Sequence, residues 1–137
     1  MGREVFDSFA GFDDFVVYLG VSLAYLAVFV AIYIRITPYA EVQLIREGNM
    51  AASFSLSGSI LGFIVPLASA IQHSVSLIDM AIWGLIAMAV QIVAFVVVKL
   101  CIPSITRDIP ENKGAQGFFL GSLSLGVGLL NAACMSF

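Results

Sequence analysis

The sequence predicts an all-α membrane protein with four transmembrane helices, and three observations support this fold class. Of the 137 residues, 61% are hydrophobic and only 11% are charged, whereas charged residues make up about 25% of ordinary soluble domains. The six basic and nine acidic residues gather in the N-terminal segment and between or at the ends of four long apolar runs. Each run has roughly the 20 residues that a helix needs to cross a bilayer, so each run is a predicted span.

The predicted spans form two pairs behind a short lead-in at residues 1–14. Phe6, Phe9 and Phe12 recur every three residues in this lead-in and suggest a short helix at the bilayer interface. Each pair is interpreted as one two-span unit. The first unit covers residues 15–73, with spans at about 15–36 and 50–71, and the second covers residues 74–137, with spans at about 80–102 and 115–135.

Pro38 is expected to end the first span, because proline cannot donate a backbone hydrogen bond and disfavours helix in the residue before it. Residues 41–47 then predict a short interfacial helix, which Gly48 and Asn49 would terminate. Asp79 directly precedes the third apolar run, so we expect it to cap the third helix.

The two units resemble copies of each other. A shift of 63 residues aligns identical residues, among them Asn49 with Asn112 and Gly58 with Gly121. Each unit contains a span, a proline, a charged loop and a span rich in small residues. Because each unit crosses the membrane twice, both copies would enter it from the same side, which makes the predicted duplication of a two-helix hairpin parallel.

Small residues line one face of the second span and one face of the fourth. Such faces let the backbone of another helix approach closely. Pro66 should kink the second helix and leave the carbonyl of Gly62 without its helical partner, so that Ser69 or a neighbouring helix would have to supply one. The predicted helix-packing or oligomer-interface residues are Ser55, Gly58, Gly62, Gly117, Gly121 and Gly128.

Two strongly polar side chains, Gln91 and Asn131, fall inside spans and should turn away from hydrocarbon. The favoured role for both is an interhelical hydrogen bond. The alternative is a polar pathway, which the loop residues would continue. The candidates for such a pathway are Glu47, Asn49, Gln91, Glu111, Asn112 and Asn131.

Several function classes fit the sequence poorly. It contains no recognisable nucleophile beside a base, no paired acid and base and no phosphate-binding glycine loop, so no catalytic residue, cofactor or enzymatic activity is expected. His73 is the single histidine, and Cys101 and Cys134 lack metal-ligand spacing, so no metal site is expected; the redox state of the cysteines stays open. A net charge of −3 without a basic cluster argues against nucleic-acid binding.

The basic residues predict the orientation. Five of the six flank or occupy the first and third loops, and Arg3 is the exception. Under the positive-inside rule these two loops are cytoplasmic, and both termini lie on the outer side.

The stretch Glu47-Gly48-Asn49, followed by Ala-Ala, Ser-Gly, Leu-Gly and Pro-Leu-Ala, together with the paired-span plan, resembles the YjfL-like bacterial inner-membrane proteins, a family of unknown function. The second unit departs from the pattern, because Leu125 and Leu129 stand where Gly62 and Pro66 would repeat. The resemblance implies a multi-pass protein of the bacterial inner membrane, with both termini then periplasmic, and association with envelope-stress proteins.

Two functions remain after these exclusions. The favoured one is a helical membrane module, surrounded by lipid, that oligomerises or binds a partner through a surplus small-residue face. The alternative is a small oligomeric pore or transport protein for ions or small solutes, with Glu47 and Glu111 at its mouth. Against transport, no ionisable residue lies deep in a predicted span.

Overall fold

The computed structural model describes residues 11–135 together with Gly2. From residue 11 to residue 135 the chain forms six helices and no strand. Four of them are long and apolar enough to cross a membrane, which confirms the predicted all-α fold with four spans. The helices are α1 (Phe12–Ile36), α2 (Glu41–Arg46), α3 (Met50–His73), α4 (Leu77–Cys101), α5 (Ile105–Asp108) and α6 (Gly114–Cys134).

The start of α4 corrects one expectation. Ser76, not Asp79, is the N-cap: its hydroxyl accepts a hydrogen bond from the Asp79 N–H at 3.1 Å. Asp79 lies inside the first turn, and its carboxylate accepts from the Val75 N–H at 3.2 Å. In a capping box the side chain of the third helical residue reaches back to the backbone N–H of the N-cap residue; here Asp79 accepts instead from Val75, one residue before the cap. The helix therefore begins at Leu77 rather than at residue 80.

Two short helices interrupt the connections between the spans. The predicted helix α2 is present, and Gly48 follows it with φ of +85°, a conformation that glycine adopts without a steric penalty. The turn α5 was not predicted. It forms where Ile105 and Ile109, four residues apart, are both buried, so that one face of the turn packs on the bundle.

The described helices follow the order long, short, long, twice in succession. This order agrees with the duplication expected from the sequence, although the duplication itself stays a prediction. The interfacial helix expected in the lead-in falls largely on residues 3–10, which lie outside the described residues.

Helix α3 is the centre of the bundle. It packs along most of α6 and also contacts α4, α2 and α1. Helix α1 attaches mainly along one edge, since Phe29 and Tyr33 are its fully buried residues. The Phe29 ring stacks on Phe63 of α3 with centroids 4.7 Å apart, and Tyr33 meets the edge of Phe95 of α4 at 5.2 Å.

Helices α3 and α6 run parallel. Their contacts advance together along both helices, from Ala51 against Gly117, through Gly58 against Gly121, to Gly62 against Gly128. Both helices therefore begin at the end of the bundle that carries α2 and α5, which we call the α2/α5 end. The parallel arrangement is the one required when each half of the chain crosses the membrane twice.

The α3–α6 contact predicts a sharp difference between two glycines of α6. A Cβ atom on Gly121 would overlap the carbonyl oxygen of Phe54, whereas a Cβ atom on Gly126 would meet no atom within 4 Å. We expect Gly121→Ala to lower the free energy of unfolding in bicelles by roughly 1–3 kcal/mol, the usual cost of overpacking. Gly126→Ala is the matched control and should cause no loss. Equal effects of the two substitutions would contradict the packing described.

Candidate functional site

The predicted small-residue faces lie against each other within one chain. Five of the six predicted residues are glycines, and a Cβ atom on any of the five would overlap the backbone of the facing helix: on Gly58 that of Gly121, and on Gly128 that of Gly62. Ser55, the sixth, is also fully buried, but its hydroxyl lies 3.2 Å from the Tyr33 hydroxyl of α1. The faces predicted for helix packing or for an oligomer are thus occupied internally.

Gln91 of α4 joins the α3–α6 pair at its middle. Its side-chain Nε2 donates to the carbonyls of Gly62 and Ser124, both at 2.9 Å. The Gly62 carbonyl is the acceptor that Pro66, four residues later, leaves without a helical donor. The neighbouring-helix partner expected for this carbonyl is therefore Gln91. Its Oε1 is buried and has no hydrogen-bond partner among the described residues.

Asn49 and Asn112 meet at the α2/α5 end. Asn49 caps α3 by accepting from the Ala52 N–H at 2.8 Å, and its Nδ2 donates to the carbonyls of Ile109 and Pro110 at 3.0 and 3.2 Å. Asn112 accepts from the Ala51 N–H at 3.2 Å. Its φ of +58° is left-handed, which asparagine tolerates better than most residues. Both asparagines thus tie the start of α3 to the loop that leads into α6.

The other candidates for a polar pathway are dispersed. Glu47 and Glu111 are exposed at the α2/α5 end, and the Glu111 carboxylate lies 3.6 Å from the Lys113 ammonium. Asn131 is half-buried, in the last turns of α6, and its Nδ2 is buried without a partner among the described residues. Of the six candidates, hydrogen bonds among the described residues bring only Asn49 and Asn112 to a shared loop junction.

Glu41 is a buried ionisable residue that the sequence reasoning missed. Its exposed fraction is 0%, and neither carboxylate oxygen has a hydrogen-bond partner among the described residues. A position just after Pro38, in a polar connection, is typical of a solvated helix start. The sequence held one signal that Glu41 faces inward: Leu44 lies three residues after Glu41 and therefore on the same face of α2. Leu44 packs against the core.

The surroundings of Glu41 favour its neutral form. Burial raises the pKa of Glu41 to about 7, and the nearby Thr37 hydroxyl offsets part of this effect. That hydroxyl itself donates to the Ile34 carbonyl at 3.0 Å. Burial, followed by the charges of Tyr33 and Glu41, also raises the pKa of Tyr39, whose buried hydroxyl has no partner among the described residues. Glu41 and Tyr39 thus form a buried polar cluster near Tyr33 of α1 and Ser55 of α3.

A shallow groove of about 180 Å³ runs along the outer side of the α3–α6 pair. We call it the α3–α6 groove. The rings of Phe54 and Phe118 meet edge-on beside it at 5.7 Å, and Ser57 and Ser122 are exposed along it. The lining residues are Phe54, Ser57, Gly58, Leu61, Phe118, Gly121, Ser122 and Leu125.

Four apolar helices, two of which form a parallel, glycine-packed pair, define a small multi-pass helical membrane protein. Residues 7–135 match the model of a family described as Domain of Unknown Function (DUF350), and the chain belongs to this family.

Two relatives agree with this assignment. The UPF0719 inner membrane protein YjfL of Escherichia coli (strain K12) is 38% identical over 133 residues, which cover 97% of this chain and 98% of the relative. The UPF0719 transmembrane protein YshE of Bacillus subtilis (strain 168) is 27% identical over 122 residues, which cover 85% of this chain and 88% of the relative. No solved structure matches the chain. The resemblance to YjfL-like proteins is thereby confirmed, and so is a multi-pass location in the inner membrane.

The bond between Gln91 and Gly62 predicts coupling between Gln91 and Pro66. In Pro66→Ala the backbone N–H of residue 66 returns and can donate to the Gly62 carbonyl, so this carbonyl no longer depends on Gln91. We therefore expect Gln91→Leu to lower the free energy of unfolding more in the wild type than in Pro66→Ala, by roughly 1 kcal/mol. A double-mutant cycle in bicelles measures the difference. The exposed Gln72→Leu serves as the control, and an equal cost of Gln91→Leu in both backgrounds would remove the proposed link.

Proposed function

We propose that this protein is a helical membrane module that assembles with further copies of itself through the α3–α6 groove. The observation that carries the proposal is the exposure of Ser57 and Ser122 along a groove with glycines in its floor. The small-residue faces predicted from sequence pack against each other inside the chain, so the proposed docking surface is the outer side of their contact and not the faces themselves. The proposal assigns no chemical reaction to the chain.

The physics of helix association in lipid supports this groove as the docking surface. Lipid tails are as apolar as leucine side chains, so helices associate through close packing and interhelical hydrogen bonds rather than through the hydrophobic effect. The backbones of Gly58 and Gly121 form the floor, which allows a close approach. The hydroxyls of Ser57 and Ser122 can bond to an incoming helix, at about 0.6 kcal/mol for an average interhelical hydrogen bond.

The similarity of the two groove walls favours a second copy as the occupant. Each helix contributes a glycine to the floor and a phenylalanine to the rim, as Gly58 with Phe54 on α3 and Gly121 with Phe118 on α6. A surface built from two similar walls can meet its own copy across a two-fold axis. Another membrane protein, including an envelope-stress protein, is the competing occupant.

Substitutions in the groove test this assembly. Gly58→Leu is unsuitable, because it would disrupt the α3–α6 contact itself. The exposed pair Ser57→Leu and Ser122→Leu fills the groove without entering the bundle, so we expect the combined variant to lose its oligomer, measured as particle mass in native lipid nanodiscs. Ala89→Leu, an exposed position on α4, is the control and should keep the wild-type mass.

Two results would count against assembly through the groove. An unchanged mass in the combined variant would show that copies meet elsewhere, and a monomeric wild type would leave the groove to a different partner. If the wild type is monomeric, a cysteine at position 57 can be cross-linked in cells to the protein that occupies the groove. The variant is Ser57→Cys in a chain that lacks Cys101 and Cys134, and the cross-linked product would identify that partner.

A small oligomeric pore is the second candidate. It is favoured by two buried amide atoms without described partners, Gln91 Oε1 and Asn131 Nδ2, because such atoms inside a span mark either imperfect packing or a hydrated path. Flux of K⁺, Na⁺ or Cl⁻ into vesicles that contain the purified assembly, above the flux into empty vesicles, would favour the pore over the module.

For orientation, we propose that the α2/α5 end faces the cytoplasm and that both termini face the periplasm. The support is the five-to-one distribution of basic residues. In a chain without Cys101 and Cys134, we expect a membrane-impermeant thiol reagent applied to intact spheroplasts to label Val75→Cys and to leave Glu47→Cys unlabelled. Both positions are exposed. Labelling of Glu47→Cys alone would reverse the orientation.

A further inference from the structure

Glu41 and Tyr39 together, which we call the Glu41 cluster, contain three buried oxygen atoms that have no hydrogen-bond partner among the described residues. They are both carboxylate oxygens of Glu41 and the Tyr39 hydroxyl oxygen. Leaving a charged carboxylate in such a place is costly, and a buried acid ordinarily responds by keeping its proton. The ion pairs among the described residues join Lys113 to Asp108 and to Glu111. No basic side chain of residues 11–135 therefore pairs with Glu41.

The groups that face Glu41 come from three directions. Tyr33 projects from α1, and Tyr39 and Thr37 lie on the connection before α2. Helix α3 contributes the hydroxyls of Ser55 and Ser59, which contact the tyrosines. Helix α4 adds the apolar ring of Phe95 against Tyr33. The titratable groups around Glu41 are thus the two tyrosines, neither of which is charged near neutral pH.

We propose that Glu41 is a proton-binding site, which holds its proton while α2 lies against α1 and α3 and exchanges it when α2 moves away. The proposal goes beyond the assembly through the α3–α6 groove and does not depend on it. It places a proton-binding carboxyl group between the end of α1 and the start of α3.

The geometry favours a proton over a metal ion. A cation held by oxygen ligands needs space for itself and for several donors, whereas a proton needs none. The cavity beside this site, about 290 Å³, is lined by Tyr39, Gln43, Leu44 and Glu47 among others, and Glu41 is not among its lining residues. Tyr39 is thus common to the lining of this cavity and to the surroundings of Glu41.

The linkage between the proton and α2 has a definite sign. Glu41 has an ordinary pKa of 4.5, and burial raises this to about 7. The buried position of α2 is therefore most stable below the ordinary value, where Glu41 is neutral in both states. The preference for the buried position of α2 weakens as the pH rises from 4.5 through about 7. The reason is that Glu41 loses its proton at a lower pH in the open state than in the buried state. Above that range the open fraction levels off, up to roughly three-hundredfold higher than at low pH.

A titration of the full chain in lipid nanodiscs tests the site directly. Infrared difference spectra follow the carbonyl band of a protonated carboxyl group as the pH is raised. We expect the wild type to lose such a band with a midpoint near pH 7, Glu41→Gln to lack this transition, and Glu47→Gln to keep it. Glu47 is the matched control, because it follows the same short helix and is exposed.

Three outcomes would overturn the proposal: a wild-type band that titrates only near the ordinary value of 4.5, a neutral-pH transition that persists in Glu41→Gln, or a band that responds to Na⁺ at fixed pH instead of to protons.

A second measurement uses the wild type alone, in case Glu41→Gln does not fold. Amide hydrogen exchange, corrected for its intrinsic dependence on pH, should show α2 opening more at about pH 8 than at about pH 5, by up to about a hundredfold. Helix α5 is the internal control, since its buried Asp108 is paired with Lys113 at 3.3 Å. The same trend in α2 and α5 would contradict a site at Glu41.

Discussion

The direct backbone contact between α3 and α6 is the constraint on which the rest of the structure depends. In lipid, packing and hydrogen bonds must replace the hydrophobic effect between helices, and the glycines of both helices make such packing available. Gln91 then adds α4 to the pair by donating to one carbonyl on each helix. Helix α1 contacts α3 through the Phe29–Phe63 stack and α4 through a hydrogen bond of 2.8 Å from the Tyr25 hydroxyl to the Ala81 carbonyl.

These contacts between the helices change which surfaces of the molecule are candidates for function. The glycines that first suggest a docking surface hold the chain together, and we therefore assign the proposed interaction with other copies to the exposed α3–α6 groove. A buried carboxyl group of the kind that transport or sensing would need lies not deep in a described span but beside the spans, at Glu41. Its short helix α2 lies between Pro38 and the left-handed Gly48.

The sequence was sufficient to predict the four spans, the inward Gln91 and the close-packing faces, because length, polarity in lipid and glycine spacing act locally. It could not identify the partner of those faces, since a GxxxG pattern serves equally for a contact within a chain and between chains. The burial of Glu41 depends on how a short helix folds back on α1 and α3, which no local spacing specifies. The cap at Ser76 was missed because Asp79 is itself a good capping residue.

Disulfide cross-linking within one chain tests the parallel α3–α6 pair most directly. Phe54 and Phe118 are partly exposed and touch across the pair. In membranes, and in a chain lacking Cys101 and Cys134, the combined variant Phe54→Cys and Phe118→Cys should oxidise rapidly to an intramolecular disulfide. Phe54→Cys with Leu129→Cys, at the far end of α6, should not. Cross-linking of the second combination but not the first would mean that α3 and α6 are antiparallel and would contradict this account.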